Sequence, residues 1–151
     1  MKILITGAAG FIGFNLVNFL LNKSNHKITG IDNLNDYYSV ILKKKRLSVL
    51  KKYKKFNFLK IDINKKKNVE SLFRTHKFDI VFNLAAQAGV RYSIDNPAAF
   101  VDNNISGFYN ILDASIKFKV KKLLYASSSS VYGDSTNFPL KEDQKVAPKN
   151  I

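Results

Sequence analysis

The chain has 151 residues, 46% of them hydrophobic and 24% charged, the composition of one globular domain that can bury a core without disulfides or a structural metal. It contains no cysteine and only two histidines, His26 and His76, fifty residues apart, so no disulfide framework or zinc-type ligand set can be assembled and no metal site is expected. The 25 lysines and arginines against 11 acids leave a net charge of +14, which raises nucleic acid or an acidic membrane as a partner.

Lys2 to Thr6 is a short β-branched run stopped by Gly7, the pattern of a buried strand entering a turn. Phe11 to Asn22 carries Phe11, Ile12, Leu16, Phe19, Leu20 and Leu21 at spacings that put most of them on one side of a helix. The unit recurs. Lys27 to Asp32 reads as strand, Val40 to Leu50 as helix, Phe56 to Ile63 as strand, Val69 to His76 as helix, and Asp79 to Ala85 as a further apolar run. Pro97 suits a first helical turn, and Ala98 to Phe118 reads as one long helix with Phe100, Ile105, Phe108, Ile111 and Leu112 facing inward. Lys122 to Ser127 is the fifth strand. Residues 131–151 hold Gly133, Asp134, Asn137, Pro139 and Pro148 without periodicity and read as a loop. Strands alternating with crossover helices predict a doubly wound parallel sheet with helices on both faces. An unpaired Leu123-Leu124-Tyr125 edge is a poor place for a protein to end, so the sequence reads as a chain that lacks its continuation. No run approaches the ~20 apolar residues of a membrane span, and Gly7 interrupts the start too early for a signal-peptide core. A soluble, cytoplasmic protein with no membrane partner is expected.

The positive charge is unevenly spread. Twelve basic residues lie between Lys43 and Lys67 with Asp62 the only acid among them, yet 22 of the 25 basic residues are lysine. Base-reading and stacking surfaces favour arginine, so this stretch reads as a solvated face and no specific nucleic-acid partner is expected.

Between the first strand and helix stands Gly7-Ala8-Ala9-Gly10-Phe11-Ile12-Gly13. Glycines there let the backbone approach a pyrophosphate, whose charge is met by the N–H groups and positive dipole at the helix start. Tight strand-to-helix packing alone could also require them. Asp32 ends the second strand 22 residues after Gly10, where dinucleotide folds hold an acid against the adenosine ribose hydroxyls. A carboxylate there would repel a 2′-phosphate, which favours NAD over NADP; the competing reading of Asp32 is a turn former before Asn33.

These motifs, followed by Asp62-Ile63, Asn83-Leu84-Ala85-Ala86-Gln87 and Ser127-Ser128-Ser129-Ser130-Val131-Tyr132-Gly133, are similar in order and spacing to the extended short-chain dehydrogenase/reductases, the NAD-dependent epimerase/dehydratase family of nucleotide-sugar enzymes. Ile31 to Tyr38 and Ala85 to Ser93 resemble its UDP-glucuronate 4-epimerase branch in particular. The resemblance covers the whole chain but only about the N-terminal half of such an enzyme. It implies a Rossmann-type NAD-binding domain over 1–151, with strand order 3-2-1-4-5, that is incomplete and leads through 131–151 toward a missing catalytic and substrate-binding part.

By the same resemblance, Gly7, Gly10, Phe11, Ile12 and Gly13 line the pyrophosphate, Asp32 and Asn33 hold the adenosine ribose, and Asp62 with Ile63 borders the adenine. Leu84, Ala85, Ala86, Asn103 and Ser127 flank the nicotinamide side, although plain core packing would equally explain Leu84 to Ala86. Ser128 would be the catalytic hydroxyl that bonds the sugar oxygen losing its proton, with Ser129 and Ser130 as close alternatives. Gln87, Arg91 and Ser129 would contact a UDP-sugar, UDP-glucuronate being the expected substrate, with Arg91 either pairing the sugar carboxylate or standing as a surface arginine. Tyr37 and Tyr38 read equally as a lid or as packing residues. The implied reaction is transient oxidation at sugar C4 and return of hydride to the other face; a homodimer is admitted for the full-length parent.

One departure stands out. No Tyr-x-x-x-Lys follows Ser130: Tyr132 has Thr136 four residues on, and aligning Pro148 with the family's proline puts the tyrosine just after Ile151. The 151-residue chain alone is therefore expected to be inactive. Rivals are a dehydratase or decarboxylase of the same family, a non-catalytic dinucleotide-binding module, and a nucleic-acid-binding protein built on the lysines. Any binding to DNA or RNA is expected to be sequence-independent and steeply lost with salt, as phosphate-only contacts are. A salt titration of filter binding checks this, and a sequence-specific complex surviving physiological salt would overturn it.

Overall fold

The computed structural model describes residues 1–149. The five strands β1 (Lys2–Thr6), β2 (Lys27–Asp32), β3 (Phe56–Lys60), β4 (Ile80–Asn83) and β5 (Lys122–Tyr125) form one sheet in the order β3-β2-β1-β4-β5. All four pairings are parallel, with Lys2 beside Lys27, Ile3 beside Ile80, Ile28 beside Phe56 and Ile80 beside Lys122. Winding runs outward from β1 through β2 to β3, then reverses to β4 and β5, so a switch point lies between β1 and β4, where open α/β sheets bind ligands.

Side-chain alternation sorts the strands onto two cores. Ile3, Ile5 and Ile28 pack with Val17 and Leu21 of α1 (Phe11–Lys23) and with Leu47 and Leu50 of α2 (Val40–Leu50). Leu4, Ile31 and Val81 pack on the other face with Val69, Leu72 and Phe73 of α3 (Lys66–His76). Two short helices, α4 (Val90–Asp95) and α5 (Pro97–Phe100), precede a π-helical segment, Val101–Gly107, and α6 (Phe108–Lys117), whose Ile111 and Ala114 complete this second core. A 3-10 turn spans Ser129–Tyr132. Among the described residues no helix is long and apolar enough to cross a membrane.

Several expectations need correction. Phe11, Ile12 and Phe19 are exposed, and the inward stripe of α1 is Gly13, Val17 and Leu21. The sheet selects the i, i+4, i+8 line, and glycine occupies it at position 13 because the preceding turn leaves no room for a side chain. The long helix expected over Ala98 to Phe118 is interrupted. Asn96 accepts the Ala99 N–H to start α5, and the π turn rotates the chain so that Ile105 points to solvent while Phe100 and Ile111 are buried. α3 begins at Lys66, ahead of Val69, and α4 carries none of the buried residues that would announce it by periodicity. The strands also stop early. Ladder pairing ends at Lys60, Asn83 and Tyr125, so Asp62, Ala85 and Ser127 each lie two residues past a strand end. After β3 and β4 the run continues half-buried although the ladder has ended, whereas Ala126 and Ser127 after β5 are exposed. The loop expected over 131–151 contains the end of the 3-10 turn and is described to Lys149; positions 150 and 151 lie outside the described residues.

Phe73 is fully buried and meets Phe78 edge-on at 5.5 Å and Phe118 at 6.2 Å. Phe73→Ala is expected to destabilise the fold by about 3–5 kcal/mol, read as a drop in the urea midpoint; a change under about 1 kcal/mol would contradict this account of the α3-side core.

Candidate functional site: a cleft at the carboxyl ends of β1, β2 and β4

The site is built on the residue that ends β1. Thr6 is fully buried; its Oγ1 donates to Asn83 Oδ1 at 2.8 Å and accepts the N–H groups of Leu84 and Ala85 at 3.0 and 2.9 Å. The loop after β4 is thereby held against the end of β1. Gly7 follows with φ at +67°, and a Cβ there would lie 2.9 Å from Ala85 N, so both its backbone angle and its surroundings require glycine. A Cβ on Gly13 would meet Gly7 O at 2.1 Å, which brings α1 directly onto the turn. No acid occupies the first turn of α1 and no side chain caps it, so its leading N–H groups have no intrahelical or side-chain acceptor.

Asp32 lies beside this turn, buried, with Oδ2 accepting from Ala9 N at 3.2 Å and Oδ1 from Leu34 N at 2.8 Å. Each oxygen keeps a further lone pair. Beyond it the chain is held from α2. Lys43 is buried and donates from Nζ to Asn35 O at 2.8 Å and Asn35 Oδ1 at 2.7 Å, with the Tyr38 ring 4.4 Å away. Burial pulls the Lys43 ammonium below the usual lysine range, against the opposing attraction of Asp32 and Asp36. Arg46 donates to Ala9 O and to Tyr38 Oη, both at 3.2 Å. Partial burial raises the Tyr38 phenol, with Arg46 pulling the other way.

The far wall comes from the π-helical segment. Asn104 grips the backbone of Gln87 on both sides, taking its N–H at 2.8 Å and donating to its carbonyl at 2.9 Å. Adjacent Asn103 instead accepts from Asn64 Nδ2 at 3.1 Å. Two consecutive asparagines thus hold the loops after β4 and after β3.

Of the residues expected from the sequence, Gly7, Gly10, Asp32, Asn33, Ile63, Leu84, Ala85, Ala86, Gln87 and Asn103 line this one cleft. Phe11 and Ile12 sit exposed at the start of α1, outside its lining, and Gly13 is buried beneath the turn. Asp62 is turned to its own loop, accepting from Asn64 N at 2.9 Å and from Asn33 Nδ2 at 3.5 Å. Ser127, Ser128, Ser129 and Arg91 are exposed and do not line the cleft; the three serines follow β5, the edge strand beyond β4. Tyr37 and Tyr38 do line the cleft, and the Tyr37 ring lies 4.8 Å from that of Tyr92. Asn35 and Lys43 also line it and were missed by sequence reasoning, as were Arg46 and Asn104. A signal existed for Lys43: it falls on the stripe Lys43, Leu47, Leu50 that α2 buries, where an unpaired lysine would be prohibitively desolvated.

Thr6→Val keeps the volume but removes the acceptor of two half-buried amides. It is expected to cost at least about 2 kcal/mol and to accelerate hydrogen exchange at Leu84 and Ala85. Unchanged exchange there would contradict the coupling of β1 to the β4 loop.

The chain is similar to known proteins in both sequence and fold. A UDP-glucuronate 4-epimerase of Thermodesulfobacterium geofontis is 47% identical over 143 residues, covering 95% of this chain and 44% of that protein. Protein CapI of Staphylococcus aureus is 48% identical over 146 residues, 97% of this chain and 43% of its own. The crystal structure of the Bacillus cereus UDP-glucuronic acid 4-epimerase, in complex with UDP-glucuronic acid and NAD, superposes with a TM-score of 0.90 at 35% identity, covering 99% of this chain and 47% of that one. The chain spans less than half the length of these relatives. The family model described as GDP-mannose 4,6 dehydratase matches residues 4–151, and the chain belongs to that family, within the extended short-chain dehydrogenase/reductases.

Proposed function

We propose that this chain is the NAD-binding part of a UDP-glucuronate 4-epimerase. The observation that carries the reading is the convergence of Gly7, Gly10, Asp32, Leu84, Ala85 and Asn103 on one cleft at the switch point of the sheet. The donor set fits a dinucleotide: uncapped N–H groups at the start of α1 suit a pyrophosphate, and the remaining lone pairs of Asp32 suit ribose hydroxyls. When bound, NAD supplies the hydride acceptor and donor for sugar C4.

The chain's own residues then divide the work. Asp32 accepts from the adenosine ribose and repels a 2′-phosphate, while Asn33 and Ile63 border the adenosine. Leu84, Ala85 and Ala86 line the nicotinamide end, and Asn104 keeps Gln87 from swinging across it. Ser128 hydrogen-bonds the sugar 4-hydroxyl without acting as its base, since an unassisted serine is too weakly basic at neutral pH. Neither histidine is beside it: His26 precedes β2, and His76 ends α3. Arg91, exposed near the start of α4, is assigned to the sugar carboxylate.

Calorimetric titration tests the cofactor: NAD is expected to bind more tightly than NADP, and Asp32→Ala to weaken NAD by on the order of tenfold or more, the worth of a charged hydrogen bond. Equal or tighter NADP binding by the unaltered chain overturns the assignment. For the sugar, this chain fused to the remaining portion of the Thermodesulfobacterium enzyme is expected to convert UDP-glucuronate to UDP-galacturonate. Arg91→Ala should then raise KM with little change in kcat, and Ser128→Ala should lower kcat. A fusion that epimerises UDP-glucose but not UDP-glucuronate would refute the substrate assignment.

A further inference from the structure

At the amino ends of the strands, opposite the cleft, lies a second, open groove of about 400 Å³, a volume within the roughly 300–1,000 Å³ of small-molecule sites. Lys2 and Lys27, paired across β1 and β2, and Lys54 and Lys55, just before β3, contribute to its lining. Among the described residues none of these four lysines forms an ion pair with a carboxylate, whereas Lys66, Lys117, Lys121 and Lys149 all do. Lys55 reaches the amide oxygen of Asn25, a neutral partner that leaves its charge uncompensated. The other side is aromatic. His76 lies parallel to Phe78, centroids 5.6 Å apart and planes 6° from parallel, with Phe78 buried and His76 the half-buried, outer member of the pair.

The end of α3 would ordinarily repel an anion here, because terminal carbonyls carry partial negative charge. One of those carbonyls is engaged, and the one before it is covered. Phe73 O accepts the Lys77 N–H at 3.1 Å, and Leu72 O lies 3.1 Å from His76 Nδ1. A carbonyl can only accept, so Nδ1 is the donor in this contact. Thr75 and Asn57 add polar groups to the lining.

From this pairing of a planar stacking surface with four ammonium groups that form no ion pair among the described residues, we infer that the groove is a second, peripheral site for a nucleoside phosphate. The base stacks on His76 and the phosphate is held by Lys2, Lys27, Lys54 and Lys55. No part of this site touches the cofactor cleft, and the inference is independent of the epimerase reading.

Proton NMR of the imidazole rings tests it, since the chain has only two histidines and His26→Gln assigns them. AMP and UMP are titrated in turn, with adenosine and inorganic phosphate at matched ionic strength as controls. At least one mononucleotide is expected to shift the His76 resonances saturably. The charge-reversed pair Lys27→Glu with Lys54→Glu should weaken that response tenfold or more, while Asp32→Ala leaves it intact. If the double variant does not fold, exposed Lys54→Ala alone should still weaken binding. The inference falls if neither nucleotide moves His76, if phosphate alone reproduces the whole response, if the lysine variants bind as well as the unaltered chain, or if Asp32→Ala abolishes the shift and so refers it to the cofactor cleft.

Discussion

The close approach of α1 to the turn after β1 is the constraint on which the cleft depends. With no Cβ at position 13, the helix starts against the Gly7 carbonyl; with one, that Cβ would lie 2.1 Å from Gly7 O. That contact directs the unpaired N–H groups of the first turn toward the carboxyl ends of the strands. It also brings Ala9 within reach of both Asp32, which accepts its N–H, and Arg46, which donates to its carbonyl. The turn is therefore clamped from β2 and α2 at one residue, and Thr6 ties its other end to the β4 loop. A single missing methyl group thus allows three elements to share one rigid corner.

Charge is handled differently at the two ends of the sheet. Near Asp32 the basic groups are satisfied internally. Lys43 spends its ammonium on Asn35 and the Tyr38 ring, and Arg46 spends its guanidinium on a carbonyl and a phenol. These contacts hold the β2–α2 loop in place, while the carboxylate of Asp32 keeps the field in this part of the cleft from becoming strongly positive. At the amino ends the ammonium groups of Lys2, Lys27, Lys54 and Lys55 form no ion pair among the described residues, although Asp79 accepts the backbone N–H of Lys2 at 2.8 Å. The lysine-rich stretch from 43 to 67 is consequently no single surface. It supplies a buried clamp, part of a groove wall, an ion pair from Lys66 to Asp113 that raises the Lys66 ammonium, and solvated positions between them.

The π-helical segment shows how a local irregularity serves a site. Successive helical residues point to different sides of the helix, so neighbouring positions can reach two separate loops. Asn103 and Asn104 do so here, one toward Asn64 and one toward Gln87. Gly107 ends the segment where a Cβ would strike Ile63 at 2.7 Å. Such segments concentrate at functional sites because they aim side chains that a regular helix would direct elsewhere.

The sequence by itself determined the alternation of strands and helices, the parallel sheet and the glycine turn followed by Asp32, because hydrophobic period, glycine spacing and strand-end acids are local signals along the chain. It also carried the family resemblance, and with it ten of the residues that line the cleft. Only the tertiary structure decided which side of α1 is buried, since Gly13 outranks Phe11, Ile12 and Phe19 for a reason that lies in the turn it touches. Packing likewise decided that Asp62 serves its own loop, that Lys43 and Asn104 brace the cleft walls, and that the run from Ala98 to Phe118 breaks into three segments. The bracing by Lys43 and Asn104 depends on partners 8 and 17 residues away in the chain, and periodicity carries no information about such pairs. The exposed serines after β5 are legible as a motif, yet their chemistry depends on which surfaces a substrate meets, a question of three-dimensional arrangement that spacing along a chain does not encode.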